Sequence, residues 1–224
     1  MELVKNRKQV KIIRTIFLVL LGTIVLAISS KIKIVPSRYT IESFTANLGG
    51  GSYDMRGFVS SSMLYPKNVD LQIETKNNYT RLIDDLPPIN GNADLRVTGT
   101  MENMLISGNY TINELNYTYR FDWEEMLLGF SSDLLDEAIV DYEESPYHFL
   151  VNIKADKSIR VRNNLADMKA SASLQLIGDA NRPGMKGWVR SEENGRLMLK
   201  ERDFQIERGE VRYVDPYTFH PQVQ

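Results

Sequence analysis

The sequence predicts an all-β protein, an elongated antiparallel sheet of about a dozen strands preceded by one N-terminal membrane-crossing helix. Three observations lead there. Apolar and polar residues alternate with a period of two over most of the chain beyond Pro36. Turn residues recur between the alternating runs, and the one long uncharged stretch lies near the N-terminus.

In chain order, Lys5, Arg7, Lys8, Lys11 and Arg14 make residues 1–14 a basic segment, and residues 15–30, TIFLVLLGTIVLAISS, carry no charge. A helix of that length reaches ~24 Å, short of a ~30 Å hydrocarbon core. Snorkelling by Arg14 and Lys31 covers the difference. The cationic flank predicts a single-pass signal anchor with its N-terminus in the cytoplasm and everything after Ser30 exported. Ala27-Ile28-Ser29 also has the small-residue spacing of a cleavage site, so a removed signal peptide is the alternative. Residues 31–40 read as a linker, and 41–224 as one β domain.

Within that domain the alternating aliphatics are Phe44, Ala46 and Leu48; Val69, Leu71 and Ile73; and Leu95 and Val97. Phe149, Val151 and Ile153 follow, then Ile159 and Val161, then the longest run, Met168 to Leu176. Leu197 and Leu199, Phe204 and Ile206, and Val211 and Tyr213 complete the series. Gly49-Gly50-Gly51, Pro87-Pro88, Asn90-Gly91, Arg182-Pro183-Gly184, Asn194-Gly195 and Arg208-Gly209 are the expected turns. One stretch breaks the pattern. Residues 122–144 hold nine acidic residues and no basic one, with apolar residues at helical spacing, and read as a solvated acidic insertion of one or two short helices.

Two segments repeat a spacing: Leu95, Val97, Gly99 and Gly108, then Leu174, Leu176, Gly178 and Gly187. Each first glycine is expected to end a strand with positive φ, and each second one to begin the next strand. A phosphate-cradling role would need a helix directly after the glycines, and alternation follows instead. The unit reads as a repeated β building block with four structural glycines.

Other chemistries are narrowed by composition. With 27 basic and 29 acidic residues, the chain lacks the cationic face that nucleic acid requires. It has no cysteine, which excludes thiolate metal sites and thiol nucleophiles, and its two histidines, His148 and His220, lie outside any recognisable nucleophile motif. The reading is a protein that is not an enzyme and uses no metal and no cofactor.

The segments TANLGGGSYDMRG, DLRVTGT, LISGNYTINELNYTY and IRVRNNLADMKASASLQLIGDANRPGMKGWVRSEENGRLMLKERDFQIERGEVRYVDP resemble, in their joint order, the C-terminal domain of the TamB family. These are the translocation-and-assembly-module proteins of diderm bacteria, related to AsmA-like envelope proteins. The resemblance covers about residues 41–224. It implies a sheet folded lengthwise into an open trough with an apolar interior (a β-taco), anchored in the bacterial inner membrane, with the bulk of the chain in the periplasm. It further implies a part in phospholipid transport between the membranes, in outer-membrane protein assembly and secretion, or in both, with an Omp85-type, TamA-like barrel as possible partner. Members usually carry a long repetitive region before this domain and further strands after it, so the chain reads as a fragment or an unusually short member.

The residues expected to line a lipid groove are Val69, Leu71, Ile73, Leu95, Val97, Phe149, Val151, Ile153, Leu174, Leu176, Leu197, Leu199, Phe204, Ile206, Val211 and Tyr213. The same alternation would also fill the core of a β-sandwich. A non-conducting scaffold that docks barrel strands by β-augmentation near Val223 is the competing function.

Overall fold

A computed structural model of the chain describes residues 29–48, 50–62, 65–80, 87–120, 144–199, 202–214 and 222–223. They form one thirteen-stranded sheet. Its strands are β1 (Ser29–Val35), β2 (Arg38–Leu48), β3 (Gly51–Ser62), β4 (Tyr65–Thr80), β5 (Ile89–Thr100), β6 (Asn103–Tyr117) and β7 (Tyr147–Arg162). Then come β8 (Ala166–Asp179), β9 (Pro183–Ser191), β10 (Gly195–Leu199), β11 (Arg202–Ile206), β12 (Glu210–Tyr213) and β13 (Gln222–Val223). From β1 to β9 each strand pairs with its neighbour in sequence, β9 pairs β12, and β12 pairs β13. The all-β class therefore holds, in a single open sheet.

Four expectations change. The sheet starts earlier than expected: Ser29 and Ser30 open β1, and most of the stretch read as a linker is strand. The remainder of the anchor reading, like the basic segment before it, falls outside the described residues; among those described, no helix is long and apolar enough to cross a membrane. The acidic run also lies outside them, apart from Glu144.

The sheet is not wholly antiparallel. β6 and β7 are parallel, in register from Met104 opposite Tyr147 to Tyr117 opposite Val161. Parallel neighbours cannot be joined by a hairpin, so the chain between Tyr117 and Tyr147 must return about 43 Å along the strand direction.

Asn90-Gly91, expected as a turn, lies inside β5, where the pairing with β6 shifts register. Gly108 and Gly187, expected at strand starts, are interior to β6 and β9. Finally, β10 and β11 leave the main path: they pair with each other, and β10 pairs with β8 at Asp167 and Ala166.

Register explains the repeat. Leu95 faces Gly108, Val97 faces Ile106 and Gly99 faces Met104; Leu174 faces Gly187, Leu176 faces Met185 and Gly178 faces Pro183. Each unit is a hairpin in the same register. The first glycines, Gly99 and Gly178, lie one residue before the end of their strands with positive φ, and a Cβ there would meet the Asn103 or Arg182 carbonyl oxygen at 2.2 or 2.4 Å. The second glycines have φ of 137° and 125°, and a Cβ on either would lie 2.1 Å from the carbonyl oxygen of Asp94 or Ser173. Gly57, opposite Leu71, repeats that geometry. The second glycine is therefore a mid-strand kink of the kind that bends sheets.

A second bending device crosses the middle strands. Register shifts fall between Thr75 and Asn78 in β4, Ile112 and Leu115 in β6, and Ala155 and Ile159 in β7. Asn77 and Lys157, inside two of these bulges, take positive φ. On the polar side the seam is tied by amides. The Asn113 side chain donates to Asn77, Asn90 and Asn92 at 3.1–3.2 Å, and the Asn77 backbone N–H donates to Asn92 Oδ1 at 2.8 Å. Bulges increase local twist and bend the strand, so a line of them creases the whole sheet.

Candidate functional site

A strand sends alternate side chains to opposite faces, so the registers sort the sheet into an apolar and a polar face. Across the apolar face the pairings trace transverse rows. One row runs Phe44, Met55, Ile73, Leu95, Gly108, Val151, Leu176 and Met185, one residue from each strand from β2 to β9. The row beside it holds Leu71, Val97, Ile106 and Phe149 and ends at Gly178. Val69 faces Gly99 at one margin. On the other side Ile153 faces Leu174, which faces Gly187 and then Tyr213, while Val211 faces Val189.

The sixteen residues expected in the groove are thus placed unequally. Twelve lie on this face in the continuous part of the sheet: Val69, Leu71, Ile73, Leu95, Val97, Phe149, Val151, Ile153, Leu174, Leu176, Val211 and Tyr213. Leu197, Leu199, Phe204 and Ile206 belong to the β10–β11 hairpin, which diverges from the main path, and Phe204 is 47% exposed. Val69 and Val151 are buried, and the other described members of the twelve are half-buried.

Besides Ala172 and Ile159 of the alternating runs, the buried cluster and its surroundings contain residues that alternation did not single out: Ile89, Ala93, Tyr110, Ile112 and Ala155, with Leu115 and Val189 packed against them. They line the bulge seam. At the seam Ile112 is followed on the same face by Leu115 rather than by residue 114, because the bulge at Asn113 adds a residue. The signal was present, but displaced by one position.

The opposite face is polar and ion-paired. Arg96 donates to both carboxylate oxygens of Asp70 at 2.9 Å, and this guanidinium holds the Asp70 carboxyl below the usual range. Arg56 pairs with Glu74 at 3.1 Å, and the Arg38 guanidinium lies 3.6 Å from the centroid of the Phe58 ring. Arg38, Arg56, Phe58, Asp70 and Arg96, with Gly57 and Gly108, line a depression of about 610 Å³. It is open and largely neutralised, since Arg56 and Arg96 are each committed to a carboxylate. Further along, Asn152 donates to Asn109 at 3.3 Å and accepts from Gln175 at 2.9 Å, an amide ladder crossing three strands.

Near the C-terminal end Glu210 is 5% exposed and is held by Arg190 at 2.7 Å, by Arg212, and by Arg208 at 3.8 Å. Hydrogen bonds from Arg190 and Arg212 lower its pKa. Of the two histidines, His148 lies half-buried 4.0 Å from Glu144, and His220 falls outside the described residues. The feature that distinguishes this sheet is therefore its two-faced character: a half-exposed apolar face backed by a charged one.

The family model described as TamB C-terminal domain matches residues 42–222. No curated protein and no solved structure matches the chain.

Proposed function

This chain belongs to the TamB family, and we propose that within envelope biogenesis it serves as a conduit for phospholipid, whose acyl chains lie on the apolar face. The supporting observation is the unbroken row from Phe44 to Met185 across eight strands. Seven strand spacings make ~34 Å, more than twice the ~15 Å of hydrocarbon in one leaflet. An acyl chain therefore fits along the row with length to spare.

The glycine kinks and the bulge seam both bend the sheet, and in this reading they curl it lengthwise around the apolar face, leaving one side open. Each methylene removed from water contributes ~0.8 kcal/mol, so six covered methylenes hold a lipid by ~5 kcal/mol before the cost of ordering it. The wall carries Val, Leu and Ile side chains of similar size along its length, which lets a chain slide without a deep trap. Headgroups stay in water at the open side. No catalytic step within this chain is needed, and direction is supplied from outside it.

The same proposal places the protein in the inner membrane, held by the uncharged stretch 15–28 that precedes β1, with its basic flank on the cytoplasmic side. The sheet then stands in the periplasm, and an Omp85-type barrel receives it at the far end. A second reading has one observation in its favour: among the described residues, β13 pairs only with β12 and lies at the edge of the sheet. Its other edge is available to a barrel strand by β-augmentation.

The two readings separate by experiment. The full chain is extracted in mild detergent and examined by native mass spectrometry for phospholipid adducts. Leu176→Arg is expected to abolish the adducts while leaving the far-ultraviolet circular dichroism of the sheet unchanged, and Val223→Pro is expected to retain them. Adducts that survive Leu176→Arg, or a wild-type chain without any, refute the conduit and leave the docking edge.

A further inference from the structure

Three buried side-chain oxygens lack a hydrogen-bond partner among the described residues, those of Ser61, Asn78 and Tyr110, and the last two lie together on the apolar face. Tyr110 is 8% exposed and Asn78 is 7% exposed, and the Tyr110 hydroxyl and Asn78 Oδ1 are both buried without a hydrogen-bond partner. Leaving such a group unpaired costs far more than pairing it gains. Their neighbour Thr75, equally buried, is satisfied, because its hydroxyl accepts from the Ala93 N–H at 3.1 Å.

The two orphans share one location. Asn78 faces Gly91 across the β4–β5 ladder, and the Tyr110 ring lies over Gly91 from the β6 side. A methyl group at residue 91 would sit 2.5 Å from the Tyr110 hydroxyl, so only glycine leaves room for the Tyr110 side chain here. The bulge between Thr75 and Asn78 turns Asn78 onto the apolar face. Without that bulge the amide would point to the polar side. Both devices that build the notch, bulge and glycine, thus bring polar atoms into a surface otherwise lined by Ile89, Ala93 and Ile112.

We propose that Asn78, Gly91 and Tyr110 form an ester-recognising notch, in which the Tyr110 hydroxyl donates to the carbonyl oxygen of an acyl ester while the attached chain lies on the apolar face. An ester brings its acceptor at the head of an alkyl chain, which matches a polar notch set in an apolar wall. An ester offers no donor to Asn78 Oδ1, so only the N–H of the Asn78 amide can take part, donating to the second ester carbonyl of the same lipid. Burial also raises the Tyr110 pKa, so its phenol remains a donor through the neutral range.

This inference rests on the reading that the face holds acyl chains, and the test separates the two. Native mass spectrometry of the full chain in mild detergent measures competition between dipalmitoyl phosphatidylglycerol and its dihexadecyl ether analogue, which lacks both carbonyls. Wild type is expected to prefer the ester about five-fold, the value of one neutral hydrogen bond. Tyr110→Phe is expected to bind both equally, and in lipid-free protein to melt no lower than wild type, because it deletes an unpaired buried hydroxyl. Equal binding of ester and ether by wild type overturns the notch and leaves the conduit standing. A preference retained in Tyr110→Phe also overturns it. Binding of neither lipid overturns the conduit and the notch together.

Discussion

Replacing Gly108 by alanine tests whether the repeated glycine is a geometric necessity. Its φ of 137° lies where L side chains rarely go, and an added Cβ would stand 2.1 Å from the Asp94 carbonyl oxygen and 2.9 Å from Leu95 Cα. Backbone is rigid on that scale, so β5 must retreat by about an ångström or Gly108 must leave its conformation. Either response costs about 1–3 kcal/mol in strain plus one or two ladder hydrogen bonds at about 1 kcal/mol each. A loss of about 3–4 kcal/mol follows, which for a chain of this size lowers Tm by about 10 °C.

Gly50→Ala is the control. Gly50 also has positive φ, 84°, but a Cβ there meets nothing within 4 Å. It incurs only the left-handed penalty of about 1 kcal/mol, or about 3 °C. Thermal melts of the full chain in mild detergent, followed by far-ultraviolet circular dichroism, measure both. Gly57→Ala and Gly187→Ala, with the same 2.1 Å approach, should resemble Gly108→Ala. Equal losses for Gly108→Ala and Gly50→Ala would refute the kink as described.

Two further outcomes are expected. Asn113→Ala removes the amide that joins Asn77, Asn90 and Asn92; because the site is exposed, the cost is about 1 kcal/mol, seen as a fall of about 2–4 °C in Tm. Glu210 has its pKa lowered in the fold, chiefly by the hydrogen bond from Arg190, so its contribution is present above the ordinary glutamate value of about 4.3 and is lost as pH falls through the lowered folded value. Hydrogen exchange in β12 should therefore accelerate on acidification through that window in wild type, and show a smaller change in Glu210→Gln.

How much of this was readable beforehand depended on whether a strand keeps its period. In β8 the alternation from Met168 to Leu176 is uninterrupted, and the face of each residue followed from counting by two. In β7 the bulge between Ala155 and Ile159 puts Lys157 where alternation calls for an apolar residue, so one sixteen-residue strand read as two short ones. A bulge also concealed Ile112 and Leu115. Ala93 and Ala155, both buried in the cluster, carry too little apolar surface to stand out in a sequence.

Asn90-Gly91 has turn chemistry, yet the glycine is needed there because the Tyr110 ring occupies the place of its side chain. The parallel pairing of β6 with β7 links residues about 43 apart, such as Leu105 and His148, and no local pattern encodes which way a chain returns. The repeat of Leu95 to Gly108 in Leu174 to Gly187 was visible as spacing. Its meaning, a leucine opposite a kinked glycine in one hairpin register, required the pairing.

The central claim is that one face of this sheet carries lipid and the other does not. It is tested most directly by placing a photoreactive benzoylphenylalanine, in cells, at neighbouring positions that point to opposite faces: Leu95 and Leu176 on the apolar side, Arg96 and Gln175 on the polar side. The account predicts phospholipid crosslinks at Leu95 and Leu176 and none at Arg96 and Gln175. Crosslinks without that alternation, or only to protein, would contradict it.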